Sequence, residues 1–164
     1  MNLNVEKILI IGLGMIGSSI ALASKSKGIK VYGFDKSDNS IKEALEKNII
    51  DSKVESILDI NSKDFVKKVD LIIVSVPPKQ TLDVLNDLKD IWNTDVTITD
   101  TSSVKNHIKL NGASNIVLSH PIAGSDQSGI SAANGDLFKN KKNVLCDPFN
   151  LSLIHISEPT RHCL

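Results

Sequence analysis

Arginine is absent from the first 150 residues of this 164-residue chain, and cysteine occurs twice in the whole of it. No apolar stretch approaches the ~20 residues that span a bilayer, and Met1-Asn2-Leu3-Asn4 lacks the basic and apolar regions of a secretory signal. A cytoplasmic protein without a membrane partner is therefore expected. Cys146 and Cys163 cannot build a disulfide framework and have no metal-ligand spacing, so no metal is expected and Cys146 reads as a small buried apolar residue. The formal net charge is zero. With its lysines spread along the sequence, the chain carries no footprint of a nucleic-acid partner.

The composition breaks sharply near the C-terminus. Residues 1–150 hold eighteen lysines and fourteen asparagines, whereas Leu151 to Leu164 hold Arg161, the one arginine, with no lysine or asparagine. The segment from Leu151 to Arg161 looks like translated sequencing-adapter read-through. It is expected to be a non-native tail, 151–164, beside a single domain, 1–150. His155, His162 and Cys163 in it have no spacing that supports a metal site.

At the other end, an apolar run from Lys7 to Ile11 leads into Gly12-Leu13-Gly14-Met15-Ile16-Gly17 and then a helix-compatible segment. The three glycines meet different steric demands: Gly12 permits the tight turn out of the strand, Gly14 allows close approach to a pyrophosphate, and Gly17 lets the helix pack on the strand. The helix N-terminus then offers free N–H groups to the anion. A second short strand, Lys30 to Phe34, ends at Asp35, eighteen residues beyond Gly17, where an acid accepts hydrogen bonds from a ribose 2′-hydroxyl. That pattern predicts NAD rather than NADP, although Lys36 and Ser37 leave room for a 2′-phosphate.

The pattern continues as alternating strands and helices. Ile41, Ala44, Leu45 and Ile49 recur at helical spacing, with Asp38 or Ser40 as the cap; a short strand near Lys53 to Ser56 and a helix after Ser62 follow. Asp70 to Val76 is an almost continuous apolar run, as expected of a strand buried on both faces, stopped by Pro77-Pro78, and Leu82, Leu85, Leu88 and Trp92 give the next helix its buried stripe. Val96 to Asp100, Asn115 to Ser119 and Asn143 to Cys146 read as strands, and Ser103 to Leu110 as a short helix containing His107. Such alternation predicts an α/β fold with a doubly wound, mostly parallel sheet. Gly12, Asp35, Pro77, Asp100 and His120 each follow a strand, which gathers them along one carboxyl edge, where such sheets bind ligands.

His120, in Ser119-His120-Pro121-Ile122-Ala123-Gly124, has the side-chain type suited to taking a hydroxyl proton while hydride leaves the same carbon; it could equally be bonded to neighbouring backbone. Ser103 reads as a helix cap or as a hydroxyl directed at ligand. Lys105 is placed to offset substrate negative charge.

Together GLGMIGSSIALA with Asp35, SVPP at Ser75 to Pro78, DTSSVK at Asp100 to Lys105 and SHPIAGSDQSG at Ser119 to Gly129 resemble the prephenate dehydrogenase family, in order from Lys7 to Pro148. The resemblance implies NAD-dependent oxidative decarboxylation of prephenate in tyrosine biosynthesis, with His120 as base and Ser103 beside it near the nicotinamide. It implies cofactor contacts at Gly12, Gly14, Met15, Ile16, Gly17, Asp35, Val76, Pro77, Asp100 and Ser102, and substrate contacts at Ser125, Asp126 and Gln127. Prephenate has two carboxylates, for which bidentate arginine is the natural partner. Similar proteins continue into a helical domain that supplies basic residues and a dimer interface, so this chain is expected to be the cofactor-binding fragment, inactive alone. Arogenate, which differs from prephenate in its side chain, is an equally compatible substrate. The alternatives are a dinucleotide-sensing module without catalysis and a dehydrogenase of small hydroxy acids; the DTSSVK and HPIAGS pair argues against the latter.

Overall fold

The structure, a computed structural model, describes residues 5–105, 108, 110, 112–124 and 126–146, with backbone alone at 63, 153 and 154. Isoleucine, leucine and valine runs make strands that are buried on both faces, and the sheet is built around the first of them. Strand β1 (Lys7–Ile11) is followed by α1 (Met15–Lys25), β2 (Lys30–Phe34), α2 (Asp38–Glu46), β3 (Ser52–Lys53) and two single-turn helices, α3 (Ile57–Ile60) and α4 (Lys63–Val66). Then come β4 (Leu71–Val74), α5 (Pro78–Asp87), β5 (Thr97–Asp100), β6 (Ile116–Pro121), β7 (Asn143–Cys146) and the two-residue β8 (Leu153–Ile154).

The sheet order is β3-β2-β1-β4-β5-β6-β7-β8. The first six strands are parallel, and β7 and β8 are antiparallel additions at one edge. The parallel part has the doubly wound order 3-2-1-4-5-6, with its switch point between β1 and β4, where a crevice opens beyond the carboxyl ends of the strands. Leu9, Ile11, Ile72 and Val74 pack into one core with Leu85, Leu88 and Ile91, while Ile8, Ile10 and Ile73 pack into the other with Ile20, Ala21 and Ile41. Alternate residues of β1 and β4 therefore seal both faces. The chain after β6 returns to α1 and α2: Ile130 is buried in the second core, Asn134 N–H donates to Ser19 Oγ at 2.9 Å, and Ser131 Oγ donates to Glu43 at 3.0 Å.

Several local expectations are corrected. Helix α2 is capped by Ser37, whose extended backbone lets its Oγ accept from Ser40 N–H at 3.2 Å; Asp38 is the first helical residue. The short strand ends at Lys53, because Ser56 instead caps α3, a turn the sequence pattern did not announce. Of the stripe expected for α5, Leu85 and Leu88 are fully buried and Leu82 and Trp92 pack half-buried against the same core, with Thr81 and Val84 as further buried residues. No helix forms between Ser103 and Leu110 among the described residues, and His107 lies outside them. Cys146, at the end of β7, is half-buried instead of enclosed. His120 stands within the end of β6 instead of after it. Leu153–Ile154, part of the segment set apart as a non-native tail, pair their backbone with Leu145 and Cys146 of β7. Among the described residues no helix is long and apolar enough to cross a membrane, and no three potential metal ligands gather.

Candidate functional site

The turn after β1 shows why two of its three glycines are needed for the fold itself. Gly12 has φ +96°, and a Cβ there would lie 2.4 Å from the Ser75 carbonyl oxygen. A Cβ on Gly17 would lie 2.0 Å from the Gly12 carbonyl oxygen, so helix and turn touch backbone to backbone. Gly14 differs: it is the N-cap of α1 with an ordinary φ of −73°, offers no side-chain cap, and has nothing within 4 Å of where a Cβ would be. The first-turn N–H groups of α1, with Met15 and Ile16 half-buried, have no intrahelical acceptor, and no acidic residue stands in that turn. Open space before uncapped N–H groups is the shape and polarity that a phosphate fits.

Asp35 is tied to this turn. Its Oδ2 accepts the Leu13 N–H at 2.7 Å and its Oδ1 accepts the Ser37 N–H at 2.9 Å, which holds the half-buried carboxylate beyond the adjacent ends of β1 and β2. Each oxygen keeps a second lone pair for an outside hydroxyl. Just past β4, the neighbour of β1, Val76 Cγ1 lies 3.0 Å from the position of a Gly12 Cβ, and exposed Pro77 is the N-cap of α5. An apolar concavity of about 720 Å³ is lined by Pro77, Pro78, Lys79, Gln80 and Val104.

A polar row then crosses the sheet. Thr101 Oγ1 donates to Ser75 Oγ at 3.2 Å, and His120 Nδ1 lies 3.3 Å from the Thr101 carbonyl oxygen. A carbonyl only accepts, so this contact calls for a proton on Nδ1, which in the neutral ring leaves the lone pair on Nε2. Beneath the row, the Asp100 carboxylate is completely buried: Oδ1 accepts Ser119 N–H at 3.1 Å, and Oδ2 accepts Ser102 N–H at 3.0 Å and the Lys105 ammonium. Lys105 Nζ also donates to the Ser119 carbonyl at 2.7 Å. Lys105, expected to face substrate charge, is thus committed inside the protein. Ser102 is buried, its hydroxyl bonded to the Val104 backbone, whereas Ser103 is exposed. Asp126 and Gln127 are exposed, and Ser125 lies outside the described residues. Ser75, Thr101 and Ser119 were not singled out from sequence; small hydroxyl residues after strands carry little signal on their own.

Burial lowers the Lys105 pKa from lysine's 10.5, outweighing the attraction of Asp100, which raises it. Between the lowered value and 10.5, the unfolded chain holds a proton that the folded chain has released, so stability rises with pH there. Urea unfolding is expected to show the wild type gaining on Lys105→Met through that alkaline window, with a slope no steeper than about 1.4 kcal/mol per pH unit. A difference that shrinks as pH rises would contradict the assignment.

Residues 20–150 match the family described as "Prephenate dehydrogenase, nucleotide-binding domain". The match starts inside α1, so the glycine turn stands on its own geometry. Among curated relatives, prephenate dehydrogenase of Lactococcus lactis is 38% identical over 157 residues, covering 87% of this chain and 41% of that protein. Cyclohexadienyl dehydrogenase of Zymomonas mobilis is 34% identical, covering 85% of this chain and 48% of that protein. The chain therefore spans less than half the length of these relatives. Among solved structures, prephenate dehydrogenase of Aquifex aeolicus, crystallised with hydroxyphenyl propionate and NAD+, superposes with a TM-score of 0.77 at 31% identity, covering 90% of this chain and 52% of that one. With most of its sequence matched and its sheet in the same arrangement, the chain belongs to the prephenate dehydrogenase family and carries that family's nucleotide-binding domain.

Proposed function

We propose that this chain binds NAD+ along the carboxyl edge of its sheet and supplies the base, His120, for oxidative decarboxylation of prephenate to 4-hydroxyphenylpyruvate. The observation that carries this reading is an imidazole whose Nδ1 lies 3.3 Å from the Thr101 carbonyl oxygen, on the same edge as the open Gly14 turn. The N–H groups of Gly14, Met15 and Ile16 take the pyrophosphate, Gly12 and Gly17 allow the approach, and Asp35 accepts from the adenosine ribose. Val76 and Pro77 flank the dinucleotide; Asp100 and Ser102, both buried, serve by holding the loop. Bound NAD+ supplies the hydride acceptor. His120 Nε2 takes the ring hydroxyl proton as hydride leaves that carbon, and loss of carbon dioxide from the opposite ring carbon aromatises the ring. In this reading exposed Ser103, two residues beyond the Thr101 carbonyl that meets His120, acts near the nicotinamide, and Ser125, Asp126 and Gln127 contact the substrate.

The two substrate carboxylates find no arginine in residues 1–150, and Lys105 is already paired. The 164-residue chain alone is therefore expected to bind NAD+ without turnover, its cytoplasmic activity and homodimer depending on a further domain. Arogenate fits the same edge, since it differs from prephenate away from the reacting hydroxyl.

The test is to sequence the source DNA outward from codon 150, express the extended protein, and follow NADH formation with prephenate and with arogenate. Turnover is expected there, and His120→Asn should lower kcat by about 10²- to 10⁴-fold. An extended protein that binds NAD+ but oxidises neither substrate would make this a sensing module. Robust turnover by the 164-residue chain would overturn the fragment reading.

Cofactor choice offers a separate check. Asp35→Ser removes the charged acceptor, and its NAD+ affinity is expected to fall about ten- to hundredfold, as for loss of a hydrogen bond to a charged group, while NADP+ binding improves. Calorimetry with both dinucleotides reads this directly; an unchanged preference would remove Asp35 from the site.

A further inference from the structure

Two backbone groups fix how His120 presents its ring: the peptide of Ser119, which places its Cα, and the carbonyl of Thr101, which holds Nδ1. The Asp100 and Lys105 side chains grip the neighbours of both. Asp100 accepts from Ser119 N–H and from Ser102 N–H, one residue to either side of the histidine–carbonyl contact, and Lys105 holds the Ser119 carbonyl. Ser119 Oγ completes the ring by donating to the Asp100 carbonyl oxygen at 2.7 Å. We propose that the buried Asp100–Lys105 pair is a positioning device that keeps His120 in the Nδ1–H tautomer, leaving Nε2 as the free base. This rests on the reading of His120 as the base.

Stability alone does not account for such a pair. Two charges withdrawn from water gain little over a well-packed apolar pair, and here burial outweighs the attraction of Asp100 in setting the state of Lys105, with Cys146 the other titratable group acting on it. What the pair adds is geometry. Four of its hydrogen bonds converge on residues 100, 102 and 119, and a shift of Ser119 relative to Thr101 would stretch a 3.3 Å contact beyond hydrogen-bond range.

The test uses the 164-residue chain with ¹⁵N-labelled histidine. Long-range ¹H–¹⁵N spectra assign the tautomer of each ring, with His120 identified by its loss in His120→Gln. Nδ1–H is expected to dominate at His120 in the wild type. In folded Lys105→Met it should become the minor form. Should the single variant fail to fold because Asp100 is left unpaired, Asp100→Asn with Lys105→Met removes both charges and is expected to show the same loss. Lys25→Met breaks a partly buried pair with Asp51, 2.7 Å apart, on the opposite half of the sheet, and is expected to leave the His120 tautomer unchanged. A wild-type His120 in the Nε2–H form, or a tautomer unmoved in the double variant, would overturn the inference. The spectrum needs no substrate, so absence of turnover in the extended protein would remove the dehydrogenase reading separately.

Discussion

Gly14→Ala is expected to leave the fold intact while weakening NAD+ binding by about tenfold or more, and Gly17→Ala to damage both. At Gly14 the backbone lies at φ −73°, which alanine adopts freely, and the new methyl meets nothing within 4 Å. The loss of glycine at an N-cap, about 0.5–1 kcal/mol, is offset by about 0.4–1 kcal/mol from a stiffer unfolded chain. The melting temperature should therefore move by only a few degrees. The methyl occupies the space before the α1 N–H groups, where losing one charge-assisted hydrogen bond weakens affinity by about 1.5–3 kcal/mol, tenfold or more. At Gly17 the methyl would instead sit 2.0 Å from the Gly12 carbonyl oxygen and 3.1 Å from Ile10 Cγ2. Backbone cannot rotate aside, so α1 must lift from β1, at about 1–3 kcal/mol or more. Thermal melts with calorimetry on both variants read the contrast. A Gly14→Ala chain that binds NAD+ as tightly as wild type would remove the turn from the site.

The strands were readable because burial on both faces leaves an unmistakable apolar run, as at Leu71–Val74, and β2 ends at Phe34 as the pattern predicted. The glycine turn was readable for the same kind of reason, since only glycine satisfies the two steric demands that Gly12 and Gly17 meet within six residues. Failures cluster where side chains bond to nearby backbone. Ser37 took the cap from Asp38 and Ser40, and Ser56 ended a strand to begin a turn. Beyond β5, Ser102 Oγ bonds both the N–H and the carbonyl of Val104, an alternative to helical pairing that diverts the chain where a helix was expected. A lysine after a strand is ordinarily solvated, which is why the sequence points Lys105 toward substrate. Its partners, Asp100 and the Ser119 carbonyl, belong to two different strands, and no local pattern announces that they converge.

That convergence makes Asp100→Ala the most disruptive single change expected outside the glycine turn. It strips the Ser119 N–H, the Ser102 N–H and the Lys105 ammonium of their acceptor at once, in a place with no exposure to water. Breaking a buried pair in this way costs about 3–5 kcal/mol, because the surviving charge stays buried without compensation. Adding Lys105→Met to Asp100→Ala removes that stranded charge, so the double variant should be more stable than Asp100→Ala alone, giving a coupling of about 0.5–3 kcal/mol in a double-mutant cycle. Urea unfolding of the four proteins measures it. If the double variant were instead less stable than the single by the full cost of Lys105→Met, the two side chains would be acting independently. Strong coupling with a double variant that still folds would mean that the pair's charges are dispensable to the core, leaving the alignment of Ser119 with Thr101 as what they secure.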